Sequence, residues 1–194
     1  IFFDTETTGN TEKDFLIQIA YKNDSGSFAG LYKPEIKIPP EASAVHHITN
    51  KMVAEKPTFK ESTDQPIIKK LFEDNDSIVV AHNASFDLSM IKKEDIEPKR
   101  FICTLRLARH LDKEEKIDRY NLQYLRYFLD IEVEATAHSA MGDVLVLEKL
   151  FERLKSKIME EAKSDKVGSP DASNKAFRGN EIIEKMIEIS SRPS

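Results

Sequence analysis

The sequence predicts an α/β fold on a mixed sheet, and three observations carry that expectation. Two strand-like runs near the N-terminus are separated by Asn23-Asp24-Ser25-Gly26, a hairpin turn signal, so they pair antiparallel. The run SIVVAH at 77–82 has four successive apolar residues, as in a strand covered on both faces. From there on, helical periodicities alternate with strand-like runs.

Each element follows in order. IFFD at 1–4 reads as a buried strand, and FLIQIAYKN at 15–23 with SFAGLYK at 27–33 form the hairpin. Pro39 and Pro40 break the chain, and a short helix is expected over 41–46. A longer helix is expected over 58–73, with Phe59, Ile67, Ile68, Leu71 and Phe72 on its apolar side. After the strand at 77–82 comes NASFDLSMIKK, a helix with Asn83 as N-cap and Phe86 and Asp87 in its first turn. FICT at 101–104 reads as a strand leading into a helix over 105–111, and 121–129 as a further helix. The longest helix is expected over about 139–161, where Val144, Leu147, Phe151, Leu154 and Ile158 recur down one side. These residues, with Phe2, Phe3 and Phe86, are assigned to the core. Cys103, the single cysteine, is assigned there too and has no partner for an internal disulfide.

Composition narrows the class. With 194 residues, 40% hydrophobic and 32% charged, the chain has enough apolar side chains for one packed domain. No apolar run approaches the length of a membrane span, and no N-terminal stretch reads as a signal peptide, so a cytoplasmic setting is expected. The net charge of -5 gives no overall basic field. Residues 91–127 carry a modest local excess of Lys and Arg, the usual pattern of a solvated face. The chain opens on Ile1 inside a strand pattern, so leading residues are expected ahead of it, and a further C-terminal segment stays open. Residues 1–162 are expected to form one domain. Residues 163–194 read as a polar linker plus a short amphipathic helix at 181–189.

The chemistry starts at FFDTETTG, residues 2–9. Side chains alternate across a strand, so Asp4 and Glu6 point the same way. Like charges that close repel, and need solvent, a basic partner or a divalent cation. No Lys or Arg lies near them in sequence, which leaves water or metal. An exposed pair of acids at a strand end is the plain alternative. A haloacid-dehalogenase-type phosphatase, with Asp4 as nucleophile, is another, although Glu6 departs from that pattern.

Further along, HNASFD at 82–87 places Asp87 just after a buried strand. HSAMGD at 138–143 places His138 before the longest helix and Asp143 near its start. On a helical wheel Asp143 lies roughly 50 degrees from the centre of the apolar stripe, facing the flank of the sheet. Singly, Asp87 reads as favouring a helix N-terminus, His138 as a loop histidine and Asp143 as a helix acid. Together, D-x-E, then H-N-x-x-F-D, then H-x-x-x-x-D resemble the signature of the DEDDh subclass of DnaQ-like 3'-5' exonucleases, the family of ribonuclease T and proofreading exonucleases. The resemblance runs from residue 1 to about 155. It takes in AVHHITNKMVAEKPTF at 44–59 and CTLRLAR at 103–109. One departure is His47, where the family more often has Gly, a residue that permits a left-handed backbone.

The resemblance implies a ribonuclease H-like mixed five-stranded sheet flanked by helices. It also implies hydrolysis of phosphodiester bonds at the 3' end of single-stranded DNA or RNA, releasing 5'-mononucleotides, in proofreading or repair. Oxygen-only ligands suit two divalent cations, Mg²⁺ or Mn²⁺. By the resemblance Asp4 bridges both, Glu6 and Asp143 hold the first, Asp87 serves the second, and His138 takes the proton from the attacking water. Thr5, Thr7, Thr8, Glu41, His46 and Asn83 match positions around the 3'-terminal nucleotide. A polymerase subunit is the implied partner, with no membrane. A nucleic-acid-binding or polymerase-docking module with weak nuclease activity is the alternative.

Overall fold

The computed structural model describes residues 1–11, 13–134, 139–164 and 179–192. Five strands form one mixed sheet in the order β3-β2-β1-β4-β5. They are β1 (Phe2–Thr7), β2 (Leu16–Asn23), β3 (Gly26–Leu31), β4 (Val79–Ala81) and β5 (Phe101–Cys103). β1, β2 and β3 pair antiparallel, while β4 runs parallel to β1 and to β5. The helices are α1 (Pro40–His46), α2 (Asn50–Val53), α3 (Asp64–Phe72), α4 (Ala84–Lys93), α5 (Thr104–Leu111), α6 (Leu122–Phe128), α7 (Ala140–Ser164) and α8 (Gly179–Ser191). None is long and apolar enough to cross a membrane.

The two faces of β1 set the layers. Phe3 is fully buried and meets Phe72 of α3 edge to face at 5.2 Å. Phe2, on the opposite face, meets Phe151 of α7 in the same way at 5.2 Å. Asp4 and Glu6 share the face of Phe2, so the strand period that buries the aromatic also turns both acids towards α7. Ala20, which pairs with Asp4, forms a small buried cluster with Ala140 and Val144. Such short side chains let the start of α7 lie close against the sheet beside the acids.

Three local expectations change. The helix expected over 58–73 begins at Asp64, because Pro66 lacks an N–H and fits only in a first turn. Phe59 is still buried, but on a turn closed by Ser62, whose hydroxyl donates to the Phe59 carbonyl. Asn83 occupies the N-cap of α4, yet its side chain makes no capping bond. Its backbone is left-handed (φ 64), a conformation asparagine tolerates better than most residues. Phe86 is only partly buried. His47, the position where a glycine was the family expectation, is itself left-handed (φ 61) at the end of α1. The geometry is kept and the histidine carries its strain.

The amphipathic segment 181–189 falls inside α8, which lies on β5, α5 and α7. Ile182, Met186 and Ile189 are buried in the same cluster as Leu147, Leu150 and Leu154 of α7. β5 is an edge strand, and the buried hydroxyl of Ser190 accepts the Cys103 N–H at 2.8 Å. A backbone donor at the sheet edge is thereby paired.

Candidate active site

At the end of β1 the antiparallel ladder slips. Glu6 pairs with Gln18 but Thr7 pairs with Leu16, a bulge that ends the strand and starts the Thr7-Thr8-Gly9 turn. Asp14 holds this turn in shape. Its carboxylate accepts from the Thr8 hydroxyl at 2.9 Å, the Thr11 N–H at 2.8 Å and the Thr11 hydroxyl at 2.7 Å. It packs so close to Gly9 that a Cβ there would meet Asp14 Oδ1 at 2.6 Å, which explains the glycine.

Gln18 also fixes the start of α7, because its Oε1 accepts the Ala140 N–H at 3.3 Å. The Ser139 hydroxyl caps the same helix by accepting from the Gly142 N–H at 3.1 Å. Asp143, in the first turn, is thus brought beside the strand acids. One carboxylate oxygen from each of Asp4, Glu6 and Asp143 lies within 4.8 Å of the others, and all three residues are half-buried.

Asp87 enters from the other face. β4 pairs with β1 only at Phe2–Val80, so the backbone N–H of Thr5 lies beyond the parallel ladder. Asp87 takes that donor at 3.2 Å and the Thr5 hydroxyl at 2.7 Å. It is buried, 4% exposed.

The electrostatics are those of buried acids held close together. Burial, then the charges of Asp87, Glu6 and Asp143, hold the Asp4 carboxyl well above the usual carboxylate range. Burial, then Asp143 and Asp87, push Glu6 up to about 8. Burial pushes Asp87 up to about 7 against the Thr5 hydrogen bonds, which favour its charged form. A divalent cation would offset the cost of burying these charges and the repulsion at Asp4 and Glu6. Hard oxygen donors with room for solvent fit such an ion.

The remaining expected residues divide. His138 lies outside the described residues. The hydroxyls of Thr5, Thr7 and Thr8 are all engaged within the protein, by Asp87, the Gly9 carbonyl and Asp14. Glu41 is exposed in the first turn of α1, and Asn83 is exposed at the start of α4. His46 is buried, and its Nδ1 accepts the Ile48 N–H at 3.0 Å. Its Nε2 therefore carries the proton. That atom is buried beside the Thr7 backbone, which favours its protonated form. His82, the first residue of the HNASFD motif, is structural. Burial lowers its pKa to about 4, so it is neutral. Nε2 donates to the Tyr120 carbonyl at 2.6 Å, and Nδ1 accepts from Thr104 at 2.9 Å. It thereby ties the segment before α6 to the end of β4. Gln18, Asp14 and Gln123 shape the site without a sequence signal of their own, being single polar residues inside apolar or turn segments.

A family model for the RNase T type of exonuclease matches residues 1–151. The chain belongs to the DnaQ-like 3'-5' exonuclease family. Over 164 residues it is 35% identical to the DNA polymerase III subunit epsilon of Treponema pallidum, covering 77% of this chain and 73% of that protein. Over 166 residues it is 33% identical to the 3'-5' exonuclease DinG of Staphylococcus haemolyticus, covering 77% of this chain but only 18% of DinG. A solved structure of exonuclease X in complex with 5' overhanging duplex DNA matches with a TM-score of 0.70 at 26% identity. It covers 97% of this chain and 98% of the other. This family member is a nuclease on a mixed five-stranded sheet flanked by helices. Divalent-metal dependence is general in the family, and the acidic cluster is where such ions fit.

Proposed function

We propose that this chain is a DEDDh-type exonuclease. It would remove 5'-mononucleotides one at a time from the 3' end of single-stranded DNA or RNA, with Mg²⁺ or Mn²⁺. The observation that carries this reading is the convergence of Asp4, Glu6 and Asp143 from two elements onto one point. Two divalent cations at such a site neutralise the attacking and leaving oxygens of a phosphodiester.

In this reading Asp4, Glu6, Asp87 and Asp143 would hold the cations, with Asp4 the central ligand. Asp87 is anchored to Thr5, so cation and strand backbone keep one geometry. His138 accepts the proton of the attacking water. The Thr7-Thr8-Gly9 turn, stiffened by Asp14, receives the terminal nucleotide through its backbone, since its hydroxyls are already used. His46 Nε2–H, buried beside the Thr7 backbone, would serve as a donor for the sugar or base, and Glu41 and Asn83 would contact the same nucleotide.

Residues 1–162 would carry the catalytic elements. The packed face of α8 favours a structural role for the C-terminal helix over a docking tail. The name of the Treponema pallidum relative, a DNA polymerase III subunit, supports membership of a polymerase assembly. Digestion of 5'-labelled single-stranded DNA and RNA of one sequence, with Mg²⁺, Mn²⁺ or EDTA, tests the reading. A ladder of products shortened from the 3' end, absent in EDTA, is expected. Cutting of a circular single strand would overturn it.

A further inference from the structure

Asp143 is held from the side by α6. Gln123, the second residue of that helix, donates from Nε2 to Asp143 Oδ1. The amide orientation follows from chemistry, since an ionised carboxylate only accepts and the nitrogen must face it. The other amide atom, Gln123 Oε1, is buried and has no hydrogen-bond partner among the described residues. Leaving a buried acceptor unmatched costs about 1–3 kcal/mol. Packing does not call for a polar side chain here, because Leu125 already joins α6 to Leu147 and Leu150 of α7 in the apolar core.

We propose that Gln123 is a positioning residue of the nuclease centre. Its Nε2 fixes the rotation of the Asp143 carboxylate and leaves the second oxygen to the cluster with Asp4 and Glu6. Its Oε1 accepts a hydrogen bond from a water molecule in the site. A neutral donor suits this task. A lysine or arginine would orient the carboxylate equally well but would bring the positive charge that the cluster otherwise takes from a cation. The amide orients Asp143 without discharging it. The inference rests on the reading of Asp4, Glu6 and Asp143 as a cation site.

The test measures Mn²⁺ binding to the protein without nucleic acid, by electron paramagnetic resonance or calorimetry, beside activity. Gln123→Met keeps the length and removes both hydrogen bonds, and Gln123→Ala opens room for water instead. Both are expected to weaken Mn²⁺ binding by about 10- to 100-fold, the usual effect of losing a partner of a metal ligand. The kcat on an oligonucleotide should fall while KM changes little. Tyr127→Ala, an exposed residue of the same helix, controls for damage to α6 and should leave Mn²⁺ affinity unchanged. Thermal melts in EDTA show that each variant folds. Wild-type affinity in Gln123→Met or Gln123→Ala overturns the positioning role while leaving the cation site standing. A wild-type protein that does not bind Mn²⁺ overturns the cation reading itself.

Discussion

Glu6 and Glu161 are the same side chain in two environments. Glu161, near the end of α7, is surrounded by basic side chains. Lys113 donates to one of its oxygens, and His110 at 3.2 Å and Lys185 of α8 at 3.4 Å reach the other. The Lys113 hydrogen bond leads, and His110 and Lys185 add to it, holding the Glu161 carboxyl down to about 2. Glu6 is pushed up to about 8 by burial and then by its carboxylate neighbours Asp143 and Asp87. The same fold that surrounds one acid with three basic groups gathers four acids from β1, α4 and α7 into one place. The first arrangement ties α5, α7 and α8 together. The second is unfavourable as it stands and would become favourable with a divalent cation, which is what would separate a functional cluster from a structural ion pair.

The largest expected effect breaks the cluster. Asp4→Ala should lower exonuclease activity by more than about 10⁴-fold, beyond what loss of a general base causes. Next comes His138→Ala. It should lower kcat by about 10²- to 10⁴-fold, keep Mn²⁺ binding, and lose the rising limb of the pH–rate profile. If His138→Ala keeps full activity and the same profile, the chain is not of the histidine subclass. The smallest effect sharpens the other side of the comparison. Glu161→Gln should cost about 1–2 kcal/mol of stability, because its exposed lysine partners are partly screened. It should leave kcat unchanged. A drop in kcat would mean that the α7–α8 corner communicates with the site.

Much of the site was legible because strand and helix periods are local. Asp4 and Glu6 share a face by the two-residue period, and Asp143 follows from its place in the first turn of α7. The left-handed backbone at His47 was legible as the place for a glycine. The start of α3 was missed although Pro66 marks it. The Asn83 side chain was expected to cap α4, but its backbone took a left-handed turn. Gln123 and Gln18 were invisible for a different reason. Each acts across 20 and 122 residues of sequence, on Asp143 and Ala140, so nothing in its own neighbourhood announces the partner. Asp87 was legible as a motif, yet its bonds to Thr5 depend on where β4 stops pairing with β1.

Burial and, at Asp4 and Glu6, mutual repulsion hold the cluster's acids protonated, and a bound cation would reverse this; melting temperature against pH reads it directly. An acid with a raised folded pKa is protonated in both states at low pH, where its repulsion is absent. As pH rises from its unfolded pKa towards about 7 for Asp87 and about 8 for Glu6, the folded chain holds protons that the unfolded chain has lost. Stability therefore falls with pH, by up to about 1.4 kcal/mol per pH unit for each proton. Glu161, held down to about 2, does not titrate in this range. His82, neutral above about 4 when folded, contributes the opposite slope only below about pH 7, where the unfolded imidazole charges. Melting between pH 7 and 8.5 in EDTA should show stability falling with pH, and Mg²⁺ should raise the curve and flatten it. Parallel curves in EDTA and Mg²⁺ would contradict a cation site at Asp4, Glu6 and Asp143.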